Sequence, residues 1–235
     1  MRMGLVILNR NEEEALPTVL PQIPIEAVEM CFAVDGNSTD RSREILAGHG
    51  IDVLEQTSRG RGEAFRQAFK HAGDSVEALI FFSPDGNEDP SDIPRFRPIL
   101  ESGADVVIAS RMMEGATNEE DTGWFRPRKW ANIVFNLMAY LTWGRRQSRV
   151  TDGINGFRAI TTDAWRTIAL DGSGYTIEYQ CTIRAYKHRL RVEEFPTQEG
   201  QRIGGESNAK AVETGLRFLR LYFRELRNSP RATSG

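Results

Sequence analysis

The sequence contains few of the residues that build disulfide frameworks and metal clusters. There are two cysteines and three histidines among 235 residues. Cys31 and Cys181 lie far apart, without the spacing of a metal site, and the histidines stand singly. The pattern excludes a disulfide-stabilised secreted scaffold and indicates a reducing, cytoplasmic setting. We expect none of the histidines to be catalytic.

Long apolar runs are also missing. The longest candidate, residues 130–143, is shorter than the roughly 20 residues that a spanning helix needs, and Asn132 and Asn136 interrupt it. The first apolar run is too short for a signal-peptide core and leads directly into acidic residues, so it predicts a buried strand. Hydrophobic residues still make up 40% of the chain, which excludes disorder and indicates a soluble globular protein.

The net charge of -3 conceals two halves of opposite sign. Residues 1–121 carry 11 basic and 23 acidic side chains, whereas residues 122–235 carry 19 basic and 10 acidic ones. This asymmetry favours a metal ion as a partner of the first half and an anion or an anionic surface as a partner of the second. The alternative is that the charges only cover two solvated faces. We expect no nucleic acid among the partners.

Apolar runs alternate with helical patterns through the first half. Five runs rich in Val, Ile, Leu and Phe predict strands at residues 3–8, 28–34, 51–54, 78–82 and 105–109. Such alternation predicts an α/β protein whose mostly parallel sheet is flanked by helices. Polar clusters follow the first, second and fourth runs, at residues 9–12, 35–40 and 85–89. Ligands of parallel sheets bind at these carboxyl ends of strands.

The second half is less regular. Helices are predicted at residues 128–142, 175–188 and 209–226, and short strands at residues 158–160 and 191–195. No linker or internal repeat divides the chain. We expect a single domain over residues 1–228, followed by a flexible tail at residues 229–235.

The segment 83–90 follows the fourth predicted strand and is dense in oxygen ligands. Its ligand side chains are Asp85, Asn87, Glu88 and Asp89. Mg²⁺ and Mn²⁺ take such oxygens, often one or two carboxylates together with substrate phosphates. Pro90 stands where a calcium loop needs glycine, which excludes that kind of site. The alternative is an acidic turn that caps the next helix through Asp92.

Two glycine-bearing segments are further candidates. Gly60 and Gly62 open a predicted helix, where free backbone N–H groups favour phosphate. This segment matches neither a dinucleotide-binding nor a P-loop motif, so a dehydrogenase or P-loop enzyme is not supported. Around two other glycines lie Asp152 and Arg158, in a segment that by itself could be an ordinary turn.

Seven short segments occur in the order and rough spacing of one known family. They read ILNRNEE, VDGNSTDRS, RGRGEAF, SPDGNEDPSDIP, ASRMMEG, DGINGFRAI and QRIGGES. In these segments, from about residue 6 to about residue 223, the chain resembles family 2 glycosyltransferases of the dolichol-phosphate mannosyltransferase-like group. The resemblance implies a GT-A fold, a UDP- or GDP-type sugar donor, Mg²⁺ or Mn²⁺, and inversion at the anomeric carbon. Residues 1–121 would be the donor and metal half, and residues 122–228 the acceptor half.

The resemblance also implies which residues meet the donor. Leu8, Asn9 and Glu12 match the loop that contacts the nucleoside. Asp35 matches an acidic residue that reads base and ribose, and Arg61 falls near a basic position beside the donor.

The family's metal motif is Asp-x-Asp with an amide two residues further on. Here Ser83 stands in the first place, Asp85 in the second and Asn87 in the amide place. Ser83 and Asp85 would also touch the donor, and Asp85 is a predicted catalytic residue. We predict Asp85, Asn87 and Asp89 as metal ligands, with Glu88 or a water as substitutes for the missing carboxylate.

In the resembling group the acceptor is a polyprenyl phosphate, which is already a nucleophile and is held by arginines. The acceptor arginines that we predict are Arg111, Arg126, Arg128, Arg158 and Arg202. Arg111 is also a predicted catalytic residue, and Asn208 stands where the family has a lysine after Arg202. A surface ion pair is the alternative for each arginine. If the acceptor is a hydroxyl, a base must take its proton, and Asp152 is the candidate.

The last predicted helix carries an arginine stripe. Arg217, Arg220, Arg224 and Arg227 fall within a sector roughly 80° wide, with apolar residues filling much of the other side. The stripe fits peripheral contact with an anionic membrane, on the inner face of the cell membrane. It fits equally a helix that packs on the domain with a solvated basic edge.

The leading hypothesis is a metal-dependent, inverting hexosyltransferase with an anionic acceptor. The second hypothesis keeps the fold but takes a small hydroxylated acceptor. The third is a non-catalytic nucleotide- or membrane-binding relative, motivated by Ser83 and by Gly36, which stands where the family has a second acidic residue. A nucleotidyltransferase is disfavoured because the N-terminal segment has no glycine-rich triphosphate loop.

Overall fold

A computed structural model describes residues 1–118, 127–203 and 211–228 of the protein. Seven strands of this described part form one sheet: β1 (Met3–Asn9), β2 (Met30–Asp35), β3 (Asp52–Glu55), β4 (Ala78–Phe82), β5 (Val106–Ser110), β6 (Arg158–Thr161) and β7 (Val192–Pro196). Their order is β3-β2-β1-β4-β6-β5-β7. β6 is antiparallel to β4 and β5, and every other pairing is parallel. The predicted α/β fold with a mostly parallel sheet is confirmed.

Helices cover both faces of the sheet. In the described residues they are α1 (Leu16–Val19), α2 (Ser42–Gly48), α3 (Arg61–Ala72), α4 (Phe96–Glu101), α5 (Pro127–Ala139), α6 (Thr162–Ile168), α7 (Ile177–His188) and α8 (Ala211–Arg227). Short 3₁₀ turns lie at Leu20–Gln22, Ile25–Ala27 and Pro90–Arg95, and α5 continues as a π-helical turn over Tyr140–Gly144. The segment between β4 and β5 is thus divided between the 3₁₀ turn Pro90–Arg95 and α4.

The sheet separates two apolar cores. β1, β4 and β5 are buried at every residue, which is why their sequences are continuously apolar instead of alternating. One core joins the sheet to α3, α5, α7 and α8 and includes Phe65, Phe135 and Phe218. The other joins it to α1, α2 and α4 through Leu16, Leu46 and other side chains.

The carboxyl ends of six strands lie at one edge of the sheet. Because β1, β2, β3, β4, β5 and β7 run in the same direction, the segments after Asn9, Asp35, Phe82, Ser110 and Pro196 start there. Antiparallel β6 begins at this edge. The fold therefore gathers most of the predicted site segments.

The start of α3 lies close to a neighbouring loop. A side chain at Gly62 would collide with the carbonyl oxygen of Gly172, and Gly60 has a φ of 114° that favours glycine. The glycines of this segment thus allow two stretches of backbone to approach each other. The glycines therefore serve the packing of the fold. The phosphate binding that the sequence suggests for this segment would be an additional role.

Helix α8 is fixed to α7 by a buried charge cluster. Glu225 is 1% exposed and accepts hydrogen bonds from Arg184 Nε at 3.0 Å and Lys187 Nζ at 2.6 Å. Burial would raise the pKa of Glu225, but these donors outweigh it and hold that pKa below its ordinary value. The cluster keeps Phe218 facing inward, where its ring lies 5.3 Å from that of Phe135 on α5. Among the described helices, none is long and apolar enough to cross a bilayer.

Candidate active site

A cavity of about 490 Å³ opens beside the carboxyl ends of β4 and β5. Its polar wall includes Arg61, Ser83, Asp85, Asn87, Glu88 and Arg111. Its apolar wall includes Ala131 and Phe135 of α5 and Phe218 of α8. The acidic turn after β4, the arginine after β5 and two helices of the basic half therefore face one space.

The turn after β4 is held by the loop that follows β7. The backbone N–H of Ile203 donates to the Asp85 carbonyl at 2.8 Å, and the N–H of Gly200 donates to the Asn87 carbonyl at 2.8 Å. Arg202 on this loop lies with Nη1 3.2 Å from Asp85 Oδ2 and donates from Nη2 to Glu12 Oε1 at 2.7 Å. Arg202 thus bridges the loop after β1 and the turn after β4.

The carboxylates around this turn repel one another in a poorly solvated space. Burial, with the charge of Asp85 second, raises the pKa of Glu88 to about 8, although Arg61 opposes the rise. Burial also raises the pKa of Glu12 to about 7 against the opposing effect of Arg202. A cation bound here would lower both pKa values, because it favours the ionised carboxylates.

The residues present fit a divalent ion that a substrate helps to bind. No group of three His, Cys, Asp or Glu in the described part of the chain could hold an ion alone. Asp85 and Glu88 both line the cavity, which matches the one or two carboxylates that Mg²⁺ uses when phosphates supply further oxygens. Glu88 Oε2 also accepts the N–H of Ser83 at 2.6 Å.

Asp89 lies outside the cavity. Its carboxylate accepts the N–H of Ser91 at 2.9 Å and caps the 3₁₀ turn Pro90–Arg95. The prediction of Asp89 as a metal ligand is therefore corrected to a capping role, and Glu88 faces the cavity instead. Asp92, the predicted cap, is buried and accepts a hydrogen bond from Thr197 Oγ1.

The predicted nucleoside residues lie at the neighbouring strand ends. Asn9 Nδ2 donates to Asp35 Oδ1 at 2.6 Å, and Ser38 donates to the same carboxylate through its hydroxyl and its N–H. Leu8, Asn9 and Asp35 are nearly or fully buried and do not line the cavity. Their nucleoside role stays a prediction. Ser38, which the sequence did not single out, joins the loops after β1 and β2.

Arg61 enters the cavity from the start of α3. It forms an ion pair with Glu178 of α7, and a side chain at Gly156 would collide with its guanidinium. Neither partner is evident from the sequence, because each lies far from Arg61 along the chain. Gly156, in the segment DGINGFRAI, provides space for the arginine.

Arg111 is held by a buried carboxylate. Its Nε donates to Asp152 Oδ2 at 2.8 Å and its Nη2 to Oδ1 at 3.0 Å, and its own N–H also donates to Oδ2. Asn132 Nδ2 donates to Asp152 Oδ1 at 2.5 Å, and Arg111 Nη1 donates to Glu199 at 2.9 Å. Arg111 keeps about a fifth of its side chain exposed, at the cavity wall.

Asp152 is not a general base in this arrangement. Its side chain is fully buried and does not line the cavity. Burial alone would raise the pKa of Asp152, but Arg111 and the hydrogen bonds outweigh burial and hold that pKa below its usual value. The prediction of a catalytic base is therefore corrected: Asp152 orients Arg111.

Arg158 is also corrected, because it cannot reach an acceptor. Its side chain is fully buried, and its guanidinium donates to the carbonyls of Gly153, Asn155 and Glu178. The arginine ties the segment before β6 to α7. Its role is to support the loop that carries Asp152.

Replacing Arg158 with methionine is expected to lower the free energy of unfolding by about 3 kcal/mol. The carbonyls of Gly153 and Glu178 keep the Thr182 hydroxyl as a donor, so each lost arginine bond there costs roughly 1 kcal/mol. The Asn155 carbonyl loses both of its bonds from Arg158, at a cost of roughly 1–3 kcal/mol. Urea unfolding measures the loss. The control is Arg166→Met, which removes an exposed arginine paired with Asp74 and costs below about 0.5 kcal/mol. Equal stability of R158M and wild type would contradict the supporting role.

Some predictions lie outside the described residues. These are Arg126, Asn208 and the tail at residues 229–235, and the side chain of Arg128 is likewise not described. The acceptor roles of Arg126 and Arg128 stay predictions.

Comparison with known proteins adds an independent line of observation. The family model described as "Glycosyl transferase family 2" matches residues 5–168. Glycosyltransferase AglJ of Haloferax volcanii is 27% identical over 227 residues, which cover 94% of this chain and 71% of the relative. Undecaprenyl-phosphate mannosyltransferase of Micrococcus luteus is 26% identical over 215 residues, which cover 88% and 87%.

The fold is also similar to a solved structure. Glucosyl-3-phosphoglycerate synthase from Mycobacterium tuberculosis, in complex with Mn²⁺ and UDP-glucose, superposes with a TM-score of 0.72 at 19% sequence identity. The match covers 100% of this chain and 81% of that one. At this identity the likeness bears on the fold alone.

Proposed function

Because the chain belongs to glycosyl transferase family 2 and has the GT-A fold, it is a glycosyltransferase, and we propose that it moves a hexose from a UDP- or GDP-type sugar to an anionic acceptor, foremost a polyprenyl phosphate. The transfer depends on a divalent metal and inverts the anomeric carbon. One observation carries the proposal: the acidic turn after β4 and the oriented Arg111 after β5 line the same cavity.

The donor is assigned to the part of the cavity that Asp85 and Glu88 line. Asp85 and Glu88 would hold Mg²⁺ or Mn²⁺, which when bound stabilises the negative charge that grows on the departing nucleoside diphosphate. Arg202 lies against Asp85 and Glu12, and Arg61 lines the cavity, so both add positive charge close to a diphosphate. Mn²⁺ and UDP-glucose in the structural neighbour support this class of donor.

The acceptor is assigned to the part of the cavity that Arg111 lines. The hydrogen bonds that the guanidinium of Arg111 donates to Asp152 and Glu199 limit its rotation, so little freedom is lost when Arg111 binds an anion. Phe135 and Phe218 form an apolar part of the same cavity wall. An anionic group beside an apolar surface fits an amphiphilic phosphate, which is the acceptor class in the name of the relative undecaprenyl-phosphate mannosyltransferase.

The reaction needs no proton acceptor if the nucleophile is a phosphate oxygen. That oxygen attacks the anomeric carbon, the bond from this carbon to the diphosphate breaks, and the bonding electron pair leaves with the nucleoside diphosphate. A single displacement from the opposite face inverts the configuration. A hydroxyl acceptor would need a base, and Asp152, the predicted candidate, is buried and bound to Arg111.

Transfer to a short prenyl phosphate tests the proposal. The purified protein is incubated with Mn²⁺, with UDP- and GDP-hexoses, and with farnesyl phosphate, farnesol or 3-phosphoglycerate. We expect product from farnesyl phosphate and one donor, with the anomeric configuration inverted. Farnesol is the matched control, because it lacks only the phosphate.

The other outcomes identify the rival functions. Transfer to farnesol, or to 3-phosphoglycerate alone, would contradict the phosphate nucleophile and favour a hydroxyl acceptor; the structural neighbour has also been solved with phosphoglyceric acid. Nucleotide binding without transfer to any acceptor would favour a non-catalytic relative.

A further inference from the structure

An apolar stripe runs along the outer side of α5 and its π-helical continuation. It consists of Trp130, Val134, Leu137 and Leu141, which recur at helical spacing. All four are exposed, Trp130 with 64% of its surface. The inner side of the helix packs into the core through Phe135 and Ala139. The outer stripe is therefore the side of the helix that the described domain leaves partly uncovered.

A second apolar stripe lies on α8. It consists of Leu216, Phe223 and Leu226, all exposed, with the partly buried Leu219 between them. Seven of the nine large apolar side chains that are exposed in the described residues lie on these two helices. Such clustering distinguishes the stripes from the scattered apolar residues of an ordinary surface.

The two helices are in contact beside these stripes. Tyr222 of α8 touches the end of the α5 segment, with its hydroxyl 2.6 Å from Thr142 Oγ1 and its ring 5.2 Å from that of Trp143. The ring of Phe223 lies 5.7 Å from the ring of Tyr222. We call the combined exposed face the α5–α8 surface; it consists of Trp130, Val134, Leu137, Leu141, Leu216, Phe223 and Leu226.

Basic side chains border this surface. On a helical wheel of α8 at about 100° per residue, the exposed arginines follow directly after the apolar stripe. They are Arg217, Arg220, Arg224 and Arg227. Arg145 and Arg146 are exposed at the end of the α5 segment. We propose that the α5–α8 surface docks the protein onto an anionic lipid bilayer, its apolar side chains entering the interface and its arginines meeting the head groups.

The chemistry of the surface favours a bilayer over a protein partner. Apolar and basic residues occupy neighbouring sectors of one helix, as in helices that lie in the plane of a membrane. Trp130 is the most exposed member, and tryptophan prefers the interface between acyl chains and head groups. Each arginine near an anionic surface adds roughly 1 kcal/mol of attraction.

Docking would also position the cavity. The helices that expose Trp130 and Phe223 outward line the cavity with Ala131, Phe135 and Phe218 from their inner sides. A lipid-linked phosphate could then approach Arg111 while its chain stays in the bilayer. This step rests on the proposed function; the docking itself does not.

Vesicle sedimentation tests the docking. The full chain is mixed with phosphatidylcholine vesicles with or without about 30% phosphatidylglycerol, an anionic content that attracts basic residues. We expect binding to the anionic vesicles that weakens as salt rises. The double variant W130S/F223S should bind at least roughly tenfold more weakly, because two interfacial apolar anchors are lost. R220S/R227S should bind the anionic vesicles roughly fivefold more weakly for each arginine removed.

The control for the apolar variant is Ile25→Ser. Ile25 is 52% exposed on a 3₁₀ turn outside the α5–α8 surface, and its replacement should leave binding unchanged. Equal binding by W130S/F223S and wild type would overturn the proposal. A second result would also overturn it: the wild type is a dimer in sedimentation velocity and binds no vesicles, whereas W130S/F223S is a monomer. A second copy of the chain would then occupy the surface.

A lipid-free readout separates this proposal from the proposed function. Thermal stabilisation by nucleotide and Mn²⁺ is measured without vesicles, and W130S/F223S should retain it. Loss of vesicle binding with nucleotide binding intact supports docking through this surface. Absence of nucleotide binding in the wild type would count against the proposed function and leave the vesicle result valid.

Discussion

Replacing Asp85 with asparagine is expected to reduce hexose transfer by roughly 100- to 1,000-fold, the loss that follows removal of one group that stabilises developing charge. Asp85 lines the cavity on the turn after β4, and the proposed function assigns it to the cation beside the diphosphate. Asparagine keeps the shape of the side chain but removes the negative charge. Initial rates at saturating Mn²⁺ and donor measure the effect.

The matched control for this variant lies in the same turn. Asp89→Asn changes a carboxylate that caps the following 3₁₀ turn outside the cavity, and asparagine caps about as well as aspartate. We expect D89N to retain activity and the dependence on Mn²⁺. Wild-type activity in D85N, or an equal loss in both variants, would contradict the assignment of Asp85.

Replacing Asp152 with asparagine is expected to raise the KM for an anionic acceptor by roughly tenfold or more and to lower stability by about 3–5 kcal/mol. The stability loss is the usual cost of leaving one member of a buried ion pair without its partner. The KM rises because Arg111 loses the carboxylate that fixes its guanidinium. Steady-state kinetics with varied acceptor and urea unfolding give the two quantities.

The same variant should change the response of stability to acid. Because the folded state lowers the pKa of Asp152, its ionisation stabilises the protein above the pKa of the unfolded state, and this contribution disappears as pH falls through the folded pKa. D152N should therefore lose less stability than wild type below about pH 4. Asp163→Asn, which changes an exposed carboxylate paired with Arg166, is the control and should behave like wild type. A kcat loss with unchanged KM and stability would instead indicate a base.

The sequence predicts the fold well because its signals are local. Continuous apolar runs such as residues 78–82 identify buried parallel strands, and the spacing of Ala64, Phe65 and Phe69 identifies α3. The polar clusters after strands lead to Asp85 because parallel strands end at one edge. The antiparallel direction of β6 could not be derived from the sequence. The composition of a four-residue strand does not indicate whether it pairs parallel or antiparallel to its neighbours.

The site was harder to predict because its partners are distant in the chain. Arg202 meets Glu12, 190 residues away, through loops whose contact depends on the whole sheet. Asp152 and Arg158 are polar residues beside glycines and resemble a surface turn, yet tertiary packing buries both completely. Sequence patterns report which residues are polar, whereas burial and pairing decide which of them can meet a substrate.

The charge asymmetry has a structural counterpart. Arg202 from the basic half lies against Asp85 of the acidic half, and α5 and α8 of the basic half wall the cavity beside Arg111. The two halves therefore face each other across the cavity. On their outer side the same two helices carry the α5–α8 surface.

Thermal unfolding with UDP, GDP, CDP and ADP, each with and without Mn²⁺, tests the central claim most directly. A ligand at about 100 times its Kd adds roughly 2.7 kcal/mol of stability, which raises the Tm by several degrees. We predict a shift with one nucleotide that is larger with Mn²⁺ and absent in D85N. No shift with any nucleotide, or a shift that neither Mn²⁺ nor D85N alters, would contradict a metal-dependent nucleotide-sugar transferase centred on Asp85.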